Sequence, residues 1–456
     1  MNADKRRFST ASAQIRVISA NICVKKLSFK IMRKITDKFL WGAATSSHQV
    51  EGNNYLNDWW RWETLSKVKE KSGLACDQYN RYKEDFDIIK KLGHNAHRLS
   101  LEWSRLQPEE DKWNEQEWQH YREVLTYLKS LGIEPLVTLN HFTLPAWLAD
   151  KGGWALMDSR DYLSHFGKKA VEELGDLVTY WITINEPMIL SFLSYYMATW
   201  PPGDNDLTKA FKAIEVLMHA HVRSYRLMHE AARYVHHRRI YIGIAKEAAR
   251  MSPCDKKYIW DFIPTFYRHH FYNHMFIWAV MHGWILFPGY FMKFLPYFGD
   301  ALDFIGINYY RRYHIKYCGA GPVQIFGEQC ECPVHIPNAR YNNLGWEIYP
   351  QGLYDLIKDF SKYRLPIMIT ENGITTNNDD QRIEFIMEHL DVVKRARDRG
   401  YPVVGYFYWS LIDNFEWADG YAPHFGLVEV DYSNQKRTIR KSGYFYSDYI
   451  KKIGLV

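Results

Sequence analysis

A single (β/α)8 barrel, an α/β fold with its active site at the C-terminal ends of the strands, is the fold class this sequence predicts, and three observations carry it. Apolar, β-branched runs of strand length alternate with longer amphipathic stretches along the chain. Two of those runs end on a carboxylate: VTYWITINEP delivers Glu186 and LPIMITENG delivers Glu371. In a parallel barrel such ends open on one face, where two acids can share a substrate. No Ser/Gly/Pro-rich linker, long charge block or solenoid repeat divides residues 32–456, and a barrel with insertions reaches this length as one domain.

In order, residues 39–44 (FLWGAA) read as the first strand, with TSSHQVEG and Gln49 on the loop that leaves it. The tryptophans of NDWWRWE, residues 57–63, either wall the cleft or plug the barrel's edge. Tyr79, Tyr82, Phe86, Ile89 and Leu92 recur at helical intervals and Gly93 ends the run. Residues 95–101 follow as a strand holding Arg98, whose guanidinium is costly there unless it meets an acid. Glu102 is given a structural role. An amphipathic helix over 118–131 leads to the third strand, 133–140, and then to His141 and Phe142. A helix over 158–174 precedes the strand that ends at Asn185 and Glu186, where Pro187 stops strand pairing. Helix 207–235, strand 241–245 and strand 301–310, with Asn308 and Tyr309, come next. Helix 352–360, the Glu371 strand, helix 381–399 and strand 403–409 complete the eight units.

Hydrophobic residues at 47 % supply a large core, and 24 % charged residues are ordinary for a globular chain. Residues 1–31 hold seven basic residues against Asp4, which accounts for the whole formal charge of +6. The remainder is formally neutral, so no nucleic-acid partner is implied. This extension reads as a disordered tail, a targeting segment, or the result of a start upstream of Met32. The six cysteines are scattered and include no CxxC, so free thiols and a cytoplasmic location are expected.

Paired carboxylates flanking a bond are what glycoside hydrolysis needs. TINEP, ITENG, FLWGAATSSHQVEG and YFYWSLIDNFEWADGYAPHFGL together resemble the signatures of family 1 glycoside hydrolases, the β-glucosidase family, in that family's order. The resemblance implies a retaining, exo-acting β-glycosidase working by double displacement on a small-molecule β-glycoside, with no cofactor and no metal. It implies Glu371 as nucleophile and Glu186 as acid/base, with the carboxyls about 5 to 5.5 Å apart. Arg98 and Tyr309 would support the nucleophile. Gln49, His141, Asn185, Asn308, Trp409, Glu416 and Trp417 would bind the sugar, and Trp346 would stack on the leaving-group side. Glu416 points to an unphosphorylated sugar, because a carboxylate repels phosphate. Phe142 stands where many members have Trp and cannot donate an indole N–H. A transglycosidase and a catalytically silent sugar- or protein-binding barrel are the rival readings. Oligomeric state and sugar preference stay open.

Residues 258–298 are crowded with aromatics, and 275–292 carry no formal charge over a length approaching a membrane span. His282, Gly283, Pro288 and Gly289 interrupt it, and a core helix plus barrel rim is expected. A greasy entrance for a hydrophobic aglycone and contact with a membrane surface are the alternatives. His229-Glu230 lacks the second histidine of a zinc-protease helix. His270 and His274 have i,i+4 spacing but no evident acid ligand, so metal binding is not expected.

Overall fold

Eight runs, most of them rich in β-branched and aromatic residues, form the strands of the computed structural model, which describes residues 34–65, 68–287, 291–319, 321, 324–330 and 339–453. They are β1 (Leu40–Ala44), β2 (Ala96–Ser100), β3 (Glu134–Asn140), β4 (Tyr180–Asn185), β5 (Tyr241–Glu247), β6 (Phe304–Tyr309), β7 (Ile367–Asn372) and β8 (Val403–Trp409). Each pairs in parallel with its neighbours in chain order, and β8 closes onto β1 from Leu40 against Gly405 to Ala44 against Trp409. The barrel belongs to one compact unit that begins at Ile35, and the basic extension of residues 1–31 lies outside the described residues.

The principal helices are α1 (Gln78–Lys91), α2 (Glu115–Ser130), α3 (Ser159–Leu174), α4 (Pro187–Tyr195), α5 (Leu207–Val235), α6 (Phe262–His269), α7 (Met275–His282), α8 (Pro350–Phe360), α9 (Asp379–Asp398) and α10 (Lys441–Lys452). Local chemistry sets several starts. Asn114, Asp206 and Asn378 each accept two backbone N–H bonds as N-caps of α2, α5 and α9. Pro187 occupies the first turn of α4, where a missing N–H costs nothing.

Strand alternation sorts the core into two layers. Leu40, Leu136, Ile182, Phe304, Met368 and Phe407 fill the barrel interior. Trp41, Val137, Trp181, Ile305 and Ile367 face outward onto the helices. The interior is thus a packed plug, and a site can open only above it, at the C-terminal strand ends. Register shifts occur between Ile182 and Asn185 on β4 and between Ile369 and Glu371 on β7, just before each acid. Such irregularities re-aim the side chains that follow. A Cβ at Gly373 would collide with the Trp409 carbonyl, so the glycine after Glu371-Asn372 lets β7 and β8 close at their exits.

The aromatic stretch is only partly core. Phe276, Ile277, Ala279 and Val280 of α7 are buried, whereas Trp278, Trp284, Leu286, Met292 and Phe294 are exposed on α7 and on the hairpin of Trp284–Phe287 with Phe291–Phe294. Among the described residues no helix is long and apolar enough to cross a membrane. The expectation of free thiols is corrected at one pair: Cys254 and Cys330 form a disulfide beside the small sheet that includes Arg250–Pro253 and Arg312–Lys316. Cys76 and Cys318 are free thiols, and Cys23 and Cys332 lie outside the described residues.

Candidate active site

Arg98, fully buried on β2, is the hub of the strand-end cavity. Its guanidinium donates to Glu371 Oε1 at 2.5 Å, to the Thr370 carbonyl at 3.1 Å, to Asn185 Oδ1 at 2.8 Å and to Thr138 Oγ1 at 3.2 Å. A buried guanidinium is thereby compensated by one carboxylate and three further acceptors. Asn308 extends the network. Thr370 Oγ1 donates to Asn308 Oδ1, which fixes the amide so that Nδ2 donates to Glu186 Oε1 at 2.7 Å and to Asn185 Oδ1 at 3.1 Å. A continuous chain of hydrogen bonds, Glu371–Arg98–Asn185–Asn308–Glu186, therefore joins two carboxylates 185 positions apart in sequence.

The two acids have unequal surroundings. Burial pushes the Glu186 carboxyl well above the usual range, and the charges of Glu371 and Glu247 push the same way, with only Asn308 and Lys246 opposing. Burial also raises Glu371, but Arg98 and the Tyr310 hydroxyl pull it back. Of the two, Glu371 is the one built to stay ionised.

Tyr309 is a correction. Alternation in β6 turns Asn308 toward the acids and Tyr309 away from them, so the Tyr309 hydroxyl donates to the Tyr349 carbonyl and fills the space that a Cβ at Gly352 would need. Tyr310, one residue on, donates to Glu371 Oε2 at 2.6 Å. Tyr310→Phe is accordingly expected to raise the Glu371 pKa. The acid limb of kcat/KM would move up by about one pH unit, as loss of a charge-assisted bond implies, and an unmoved limb would remove Tyr310 from this role.

The remaining nominated residues assemble around this pair. His141 lies parallel to Trp409 at 5.8 Å and to Trp417 at 6.2 Å. Burial, with Arg98 nearby, holds His141 neutral. Its Nε2 meets the Asn185 amide at 3.3 Å, which leaves the buried Nδ1 without a partner among the described residues. Trp409 Nε1 donates to Glu416 Oε1 at 3.2 Å, and burial raises the Glu416 carboxyl to about 8. Gln49, fully buried, accepts from Ser46 Oγ and donates to Asn414 Oδ1, with one N–H and one lone pair to spare. Trp346 stands over Tyr310 at 5.6 Å.

The chain matches the model of Glycosyl hydrolase family 1 over residues 31–455. The chain belongs to that family. It is 34 % identical to the 1,4-beta-D-glucan glucohydrolase of Thermotoga neapolitana over 93 % of this chain and 100 % of the relative. It is also 34 % identical to Beta-glucosidase A of Thermotoga maritima, over 93 % and 99 %. The solved beta-glycosidase from Pyrococcus horikoshii superposes with a TM-score of 0.84 at 39 % identity, covering 91 % of this chain and 94 % of that one. As a family 1 member the protein is a glycoside hydrolase acting on O-glycosyl bonds, a retaining β-glycosidase on a (β/α)8 barrel.

Three residues of this family 1 site escaped the sequence reading. Tyr310 was legible from period 2 once Asn308 was placed inward. Lys246 and Glu247 end β5, beyond Ala245, where the strand was expected to stop. Burial lowers Lys246 to about 8 and raises Glu247. Away from the site, His269, His274 and Asp359 group their ligand atoms within 4.8 Å. The turn His270–His274 has i→i+5 bonding, which brings His269 rather than His270 onto the face of His274. Both imidazoles meet Asp359 Oδ2, and Lys362 donates to Oδ1 at 3.0 Å, so that carboxylate is already neutralised.

Proposed function

We propose that Glu371 is the nucleophile and Glu186 the acid/base of a double displacement on terminal, non-reducing β-D-glucosyl or β-D-galactosyl residues. The observation that carries this is the hydrogen-bonded chain between two carboxylates of unequal environment. Glu371, ionised beside Arg98 and Tyr310, attacks the anomeric carbon from the α face as Glu186 protonates the departing oxygen. Esterification removes the Glu371 charge that raises Glu186, so Glu186 becomes more acidic and accepts the proton of the incoming water. Asn185 and His141 converge where a 2- or 3-hydroxyl would lie, Trp409 floors the ring, and Gln49, Glu416 and Trp417 hold the outer hydroxyls. Trp346, with Tyr310 beneath it, lies on the leaving-group side.

Glu416 supports an unphosphorylated sugar, since its carboxyl, bonded by Trp409, gives a phosphate no positive charge to meet. Residues 32–456 act as the catalytic domain. Cytoplasmic location stays an expectation, which the Cys254–Cys330 bond opposes. The test is a panel of p-nitrophenyl β-glucoside, galactoside, fucoside and mannoside, with the first-formed sugar followed by proton NMR. Glucoside and galactoside turnover releasing the β-anomer first is expected. An α-anomer first, or no turnover across the panel, would overturn the assignment.

A further inference from the structure

Beside the acid/base lies a cavity of about 650 Å³, within the range of sites for ligands larger than a simple phenyl group. Part of its wall comes from segments that adjoin Glu186 and the tyrosine that meets Glu371. Met188 and Phe192 stand on α4, which starts directly after Glu186, and Arg311 directly follows Tyr310. Tyr272, also in the wall, donates its hydroxyl to Glu247 at the end of β5. Phe211, Phe271 and Phe326 make the outer wall apolar.

Two guanidiniums interrupt this apolar lining, Arg268 and Arg311. Several other buried or half-buried arginines meet carboxylates directly, among them Arg98 with Glu371, Arg105 with Glu51, Arg437 with Asp85 and Arg440 with Asp413. Among the described residues neither Arg268 nor Arg311 has such an ion pair. Arg311 is held by aromatic faces, 4.4 Å from the Tyr313 ring and 4.6 Å from the Trp346 ring, with the charge of Glu247 in electrostatic range. Arg268 has Tyr313 and Cys318 as its electrostatic neighbours, and burial disfavours its charged form. The carboxylate of Glu328, also in the lining, is taken by Lys316 at 3.3 Å. A guanidinium left half-buried in an apolar wall without a counter-charge is a costly feature that an anionic ligand group relieves.

We propose that this cavity is the site for β-glycosides whose aglycone joins a large apolar or aromatic body to an anionic group, the body packing on Met188, Phe192, Phe271 and Phe326 and the anion meeting Arg268, with Arg311 second. The inference rests on Glu186 being the group that protonates the leaving oxygen, because that places the aglycone on this side.

The test compares two β-D-glucosides with nearly the same coumarin leaving group, one neutral (4-methylumbelliferyl) and one anionic (from 7-hydroxycoumarin-4-acetic acid). The anionic substrate is expected to have a kcat/KM about tenfold higher, mainly through KM, as one partly buried charge-assisted bond implies. In Arg268→Gln that ratio is expected to fall to near one, and Arg268→Lys to recover part of it. A wild-type ratio at or below one, or equal losses on both substrates in Arg268→Gln with a native circular dichroism spectrum, would overturn the proposal. If the neutral glucoside itself is not hydrolysed, the reading of Glu186 and Glu371 fails; if it is hydrolysed without preference for the anion, only the aglycone inference fails.

Discussion

In Glu371→Gly, hydrolysis of β-glycosides is expected to fall by roughly 10⁴-fold or more, because the carboxylate that Arg98 and Tyr310 hold for attack is gone. The carboxylate is the one anion that Arg98 and Tyr310 share, at 2.5 and 2.6 Å, and its removal leaves a space on the α face of the sugar bordered by two donors. Azide fits that space in size and charge. Added azide is expected to restore turnover of activated aryl glycosides and to yield an α-glycosyl azide, the product of a single inversion. A β-glycosyl azide would reverse the roles of the two acids. The variant also leaves Arg98 buried without its carboxylate, a loss of roughly 3–5 kcal/mol of stability. Thermal unfolding should therefore accompany the kinetics. A protein that melts lower yet gains activity with azide separates lost chemistry from lost fold.

Much of this site was legible in the chain because the barrel uses period 2 and strand ends, both of which are local properties. Glu186 and Glu371 stand out as carboxylates that terminate apolar runs, and the expected boundaries of β8 and α5 agree with those observed. What the sequence left hidden depended on which face of a strand points inward. At Asn308, Tyr309 and Tyr310 three polar residues in a row do not by themselves fix the phase; with Asn308 inward, period 2 selects Tyr310, as the Asn308–Glu186 and Tyr310–Glu371 bonds show. Lys246 and Glu247 were missed for a different reason: two adjacent charges read as the end of a strand, whereas here they continue β5 into the buried rim. The Cys254–Cys330 pairing joins positions 76 apart through a small sheet that nothing in the cysteine spacing announces. The aromatics of residues 278–294 depart from the core expectation because Trp278 lies on the outer face of α7, and the hairpin turns Trp284, Met292 and Phe294 to solvent while Ile285 is buried.

Glu186→Ala is expected to separate substrates by their leaving groups. Departure of a poor leaving group, such as an alkyl alkoxide, needs its proton in the transition state, so kcat/KM for those glycosides should fall by roughly 10²–10⁴-fold. A dinitrophenolate leaves without help, and the first step for its glycoside should be nearly unimpaired. The second step then loses its base. Glycosyl-enzyme should accumulate on Glu371, seen as a burst of phenol followed by slow turnover, and azide attacking from the β face should relieve it and give a β-glycosyl azide. The pH profile supplies an independent sign. Burial and the charge of Glu371 raise Glu186, so the protonated acid persists above the ordinary carboxylate range, and wild-type kcat/KM is lost as pH rises through that elevated value. Removing the carboxyl removes that alkaline limb. Equal losses for good and poor leaving groups, or an alkaline limb that survives the substitution, would mean that the proton comes from elsewhere in the cavity. Glu247 would then be the first group to test, since apart from the nucleophile it is the buried carboxyl that acts on Glu186 and whose own proton affinity is raised by burial.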